Sequence, residues 1–112
     1  MAIIVQTSNP SALVTAIRKA IDDGNVATWS YDDDGDFTHT PAQWSKKAWL
    51  RPYVGAGVLS FGLVGQKGVA MIKEIYGIYH GRFIEMLLSH FDDSFSNASA
   101  TALQDKKLDL FK

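Results

Sequence analysis

The spacing of apolar residues changes twice along this chain of 112 residues, and those changes dictate which elements it can combine. Leu13, Val14, Ile17, Ala20 and Ile21 recur three and four positions apart, which is one face of an α-helix, while Arg18, Lys19, Asp22 and Asp23 lie off it. Between Val26 and Val64 the spacing falls to two: Trp29 and Tyr31 alternate with Thr28 and Ser30, and Leu59, Phe61 and Leu63 with Ser60 and Gly62. That is the alternation of strands with one buried face. From Ile72 the helical period returns through Ile75, Tyr76, Tyr79, Phe83, Leu87 and Phe91.

Local signals place the boundaries. Ala2 to Gln6 is a β-branched run and reads as an N-terminal strand. Asn9 or Ser8 supplies a helix cap, Pro10 suits the first turn, and Gly24-Asn25 ends a helix over 10–23. Asp34-Gly35 is a two-residue hairpin signal, Phe37 to Thr40 resumes the strand, and Ala48 to Tyr53 and Val58 to Val64 follow around Gly55-Ala56-Gly57. The expected fold is α+β in the order β-α-β-β-β-β-α. An N-terminal strand and helix precede an antiparallel β-meander of three to four strands, and a long C-terminal helix packs on the sheet. Gly77 and Gly81 each cost that helix about 1 kcal/mol relative to Ala, which points to close packing or to a start after residue 72. Residues 69–76 read equally as a strand. Residues 1–92 form the expected single domain, and 93–112 a polar C-terminal extension, either a short helix or partly disordered.

Composition then removes whole classes of function. A chain of this length buries roughly two thirds of its surface, enough for one core without metal or disulfide staples. The absence of cysteine excludes disulfides, thiolate zinc sites, iron–sulfur ligation and thiol nucleophiles. Twelve acidic residues against eleven Lys plus Arg make a generally basic nucleic-acid binder an unfavoured reading. Met1 to Ser8 lacks the basic start of a secretory leader, and Val54 to Gly65 is about half the roughly 20 residues a membrane span needs, so the expectation is a bacterial-type cytoplasmic protein with no membrane segment.

Three constellations carry chemistry. Asp32, Asp33, Asp34 and Asp36 surround Gly35, but with Gly35 at the sixth position of a calcium loop the first falls on Ser30 and the twelfth on Pro41. The first ligand and the closing Glu are missing, so no metal or other cofactor is expected and the run reads as a solvated acidic hairpin tip. Trp44, Lys46, Lys47, Trp49 and Arg51 interleave cations with aromatics, as single-strand nucleic-acid surfaces do, yet the adjacent carboxylates repel phosphate within a Debye length. Trp29, Tyr31, Asp32, Asp33, Asp34, Asp36, Trp44, Lys46, Lys47, Trp49 and Arg51 are therefore the expected contact surface for a protein partner or a second copy of the chain. The alternative is a small enzyme or anionic-ligand site: His39 or His80 moves a proton, Arg82 clamps an anion and Glu85 lies beside them. The spacings of His80, Glu85 and His90 fit no HExxH pattern.

Overall fold

A computed structural model describes residues 2–111. β1 (Ala2–Gln6) leads through α1 (Pro10–Asp22) to β2 (Trp29–Tyr31), β3 (Phe37–His39), β4 (Ala48–Gly55) and β5 (Val58–Gly65), then to α2 (Lys73–Phe91) and β6 (Asn97–Ala100). The strands form one antiparallel sheet in the order β2-β3-β4-β5-β1-β6, so the α+β class holds. The count of three to four strands corrects to six in the sheet among the described residues: β1 joins it against β5, and β6 adds an edge beside β1. Among the described residues no helix is long and apolar enough to cross a membrane.

α1 starts where the cap chemistry directs, with the Asn9 side chain accepting the Ala12 N–H at 3.2 Å and Pro10 at the first turn. α2 begins at Lys73, so residues 73–76 are helical and the strand reading of that segment falls. Gly77 and Gly81 do not mark close packing, since a Cβ at either would meet nothing within 4 Å.

Both helices cover one face of the sheet. Ile3, Val5, Phe37, Leu50, Leu59, Phe61 and Leu63 point into it from the strands, and Leu13, Ile17, Tyr79, Phe83 and Leu87 meet them from the helices. Phe83 sits at the centre, its ring 4.9 Å from Trp29, 5.7 Å from Phe37 and 4.7 Å from Phe61 between centroids. Edge-to-face and tilted rings at such distances add stabilisation beyond the area they bury. The Tyr79 hydroxyl donates to the Trp44 carbonyl and lies 3.0 Å from the Thr38 hydroxyl, which ties α2 to the loop between β3 and β4.

The segment after residue 92 differs from the expected short helix or partly disordered extension. Residues 92–94 make a single 3-10 turn, 97–100 are the edge strand β6, and 105–110 fold back onto β5. What recruits them is backbone demand. β1 has N–H and C=O groups on both sides, and Ser96, Thr101 and β6 take those that β5 does not.

Candidate functional site

Alternation along β4 puts Ala48 and Leu50 in the core and turns Trp49, Arg51 and Tyr53 to the opposite face, where among the described residues no helix packs and the Tyr53 hydroxyl donates to the Leu108 carbonyl at 3.4 Å. All three side chains are half-buried. Register sets them beside Val64, Gly62 and Ser60 of β5. Lys46 and Lys47 lie exposed just before β4, Lys46 in a left-handed conformation at φ +58°.

The β2–β3 turn is anchored from both sides of the sheet. On the helix side the Arg18 guanidinium reaches over the rings of Tyr31 and Phe37, at 5.9 and 5.7 Å, and donates to the Gly35 carbonyl at 3.0 Å. On the open side Arg51 makes a forked pair with Asp36, Nη2 at 2.8 Å and Nε at 3.1 and 3.2 Å from its two oxygens. Within the turn the Asp32 carboxylate accepts the N–H groups of Asp34 and Asp36, both at 3.0 Å, and Gly35 takes the left-handed φ of +82°. A side chain at Gly35 would also run into the Arg18 guanidinium. Asp22 holds the Tyr31 hydroxyl at 2.7 Å, a hydrogen bond that raises the phenol pKa above its ordinary value.

Carboxylate oxygens of Asp32, Asp34 and Asp36 come within 4.8 Å of one another, with Asp36 buried and the other two exposed. Arg51 already supplies the cation that Asp36 faces. Asp32, Asp33 and Asp34 direct their charge to solvent.

The sequence-assigned partner residues therefore divide. Trp29 is 2% exposed and Asp36 3%, so neither reaches a partner in this fold: Trp29 packs under α2 and Asp36 under Arg51. Strand alternation gave Trp29 a face, but not whether a helix would cover it. Trp44 is half-buried against the core and Tyr31 is half-buried beside Arg18. Trp49, Arg51, Lys46, Lys47, Asp32, Asp33 and Asp34 keep accessible surface.

The alternative site residues have structural partners. His39 stacks on Trp29 at 4.5 Å, and its Nδ1 lies 2.7 Å from the Thr28 carbonyl. Burial pushes its pKa below the ordinary imidazole value. The Thr28 carbonyl and Glu85 oppose that shift, and Arg82 adds to it. His80 is buried with Nδ1 2.6 Å from the Tyr76 carbonyl one turn earlier, and Arg82 pairs with Glu85 on the exposed face of α2 at 3.3 Å. Two surface cavities are lined by other residues: one of about 750 Å³ around Thr7, Asn9, Leu13 and Phe95, and one of about 490 Å³ around Gly65, Lys67, Leu110 and Phe111.

Sequence reasoning missed Asp109. Its carboxylate is 3% exposed and accepts the N–H groups of Leu63 and Asp105, each at 2.7 Å. A lone Asp in a polar tail carries no periodic signal. No family model, curated protein or solved structure matches this chain at a significant level.

Proposed function

We propose that the chain is a non-catalytic protein-interaction or accessory domain, immunity- or antitoxin-like in kind, that uses the open sheet face around Trp49, Arg51 and Tyr53. Asp32, Asp33 and Asp34 form its acidic rim, and Lys46 and Lys47 a basic one. The carrying observation is the division of labour in the β2–β3 turn. Asp36 is spent on Arg51 inside the fold, whereas three neighbouring carboxylates stand in solvent on a turn held rigid by Arg18 and by Asp32. A preorganised charged rim beside half-buried aromatics is the arrangement of an interface that steers a basic partner and then anchors it. A basic enzyme neutralised by this domain fits that chemistry. The histidine-centred ligand reading draws less support, because His39, His80, Arg82 and Glu85 line neither cavity.

The test is comparative capture from a native lysate of the cells that make the protein. The immobilised chain is set against Asp32→Asn/Asp33→Asn/Asp34→Asn and against Trp49→Ala. Loss of the rim charges should slow association about tenfold at low salt, with the difference vanishing at high salt, and loss of Trp49 should speed release. A captured set unchanged in identity and yield across the variants would remove the proposal.

A further inference from the structure

We propose that the edge of β5 from Gly62 to Gly65 is a binding site for an extended peptide segment with an acidic residue followed by apolar ones, occupied in cis by the chain's own end, Leu108-Asp109-Leu110-Phe111. A partner protein presenting the same pattern would displace it. The site adjoins the β4 surface at Tyr53, whose hydroxyl donates to the Leu108 carbonyl, but it uses neither the acidic rim nor Trp49, so the two can fail separately.

The site has five built features. Among the described residues β1 pairs β5 from Ala2 opposite Gly62 to Gln6 opposite Val58, and Leu63 to Gly65 bond the tail on that edge. The tail takes over there as a parallel bridge of Leu110 with Val64. Leu110 N–H donates to Leu63 O at 2.8 Å, and Gly65 N–H donates to Leu110 O at 3.0 Å. Asp109 reads the remaining donor, Leu63 N–H, through a buried charge-assisted bond. Gly62 leaves room for the approach, since a Cβ there would overlap the Leu108 carbonyl backbone. Beside the bridge, a cavity is lined by Gly65, Lys67 and Gly68 together with Leu110 and Phe111 of the tail. Main-chain pairing to a sheet edge with pockets for alternate side chains is how strand-addition sites take extended peptides.

The occupant is held at a few points: Phe111 packs against the core, Asp109 is buried, and the Tyr53 hydroxyl donates to the Leu108 carbonyl at 3.4 Å. Leu103 and Leu110 are 81% and 48% exposed, and the link from Ala102 to Gln104 is exposed throughout. A segment joined through so exposed a link opens locally at a fraction of the global stability. What it gains from being tethered is a high effective concentration, on the order of millimolar for a short link. A free segment therefore competes poorly until the tail is weakened.

The experiment uses the full-length chain and a fluorescein-labelled peptide spanning Gln104 to Phe111, followed by anisotropy. Asp109→Ala in the chain should raise the apparent affinity for this peptide at least tenfold over wild type, and replacing the peptide's own Asp109 by Asn should lower it at least tenfold. Leu110→Pro, which deletes one bridging N–H in the tail and leaves the sheet intact, should act like Asp109→Ala and serves if that variant misfolds. The proposal is overturned by equal peptide binding to wild-type and variant chains, by no binding to any, or by an Asn peptide as tight as the Asp one. Loss of cooperative unfolding in both variants would also overturn it, because the tail would then be part of the core.

Discussion

The forked pair of Asp36 and Arg51 predicts an asymmetry that an ordinary surface ion pair would not show. The Asp36 side chain is 4% exposed and that of Arg51 36%, and three short contacts join them. Arg51→Met keeps the aliphatic stem and strands a buried carboxylate. Removing one partner of a buried pair costs about 3–5 kcal/mol, and with the guanidinium side open to water the figure discounts to about 2–3 kcal/mol. Asp36→Asn leaves the opposite residue, a guanidinium that hydrates where it stands, so the loss is about 1 kcal/mol. The double variant has neither charge and should fall short of the summed single losses by about 1–2 kcal/mol. Urea unfolding of the four chains, followed by tryptophan fluorescence and compared at unchanged m-value, measures all three quantities. Equal costs for the two single variants, or a cost below about 0.5 kcal/mol for Arg51→Met, would refute the claim that this pair anchors the turn.

Three further outcomes follow from single residues. His39 binds its proton less readily folded than unfolded, chiefly through burial, so the stability it confers is complete above the unfolded value of about 6.5 and is lost as pH falls through that value toward the lower folded one. Urea midpoints at pH 7.5 and pH 5 should therefore differ more for wild type than for His39→Gln, and equal differences would remove His39 as the cause. Gly62→Ala drives a methyl into the Leu108 carbonyl, so hydrogen exchange should accelerate at the amides of Leu63 and Gly65 while that of Val5 stays protected. Gly77→Ala and Gly81→Ala add methyls to open space on α2 and should each stabilise the fold by about 0.5–1 kcal/mol, read as a melting point raised by a few degrees.

What the sequence made legible was whatever side-chain periodicity controls. The helix over 10–23 matches α1 to within a residue, with Asn9 and Pro10 in their expected roles. The Asp34-Gly35 signal falls in the β2–β3 turn, and the strands on either side of Gly55-Ala56-Gly57 pair as a hairpin. For the candidate site, residue types were readable from the sequence and their exposure was less so. Asp32, Asp33 and Asp34 stand out in solvent, but one carboxylate of the run and one tryptophan beside it turned inward, because Arg51 and Phe83 lie across from them in space and far from them in sequence. Alternation assigns residues to two faces, and only the packing of α2 decides which face is dry.

The parts that were not legible share one cause. β6 is Asn-Ala-Ser-Ala, with no apolar alternation, and the returning tail reads as polar, yet both lie in the sheet. Ala98 of β6 and Phe111 of the tail pack against the core, and main-chain pairing supplies the rest of the attachment. β1 and β5 carry main-chain donors and acceptors that the meander does not reach, and an unpaired buried N–H costs as much as a lost hydrogen bond. Any segment that arrives with free backbone groups and no bulk can meet that need. Small residues in β6 and the side-chain carboxylate of Asp109 do so here. The same reasoning separates the two ends of the sheet functionally. Where the need is met by β6, pairing runs along β1 from Ile3 to Gln6 and Thr7 adds a hydroxyl bond to the Ser94 carbonyl. Where it is met by the tail, a single bridge, the Asp109 carboxylate, the Tyr53 hydroxyl and the packing of Phe111 hold the contact, with no continuous ladder among the described residues. Equal backbone demand answered by unequal attachment makes the β5 end the one at which another chain can take over the pairing.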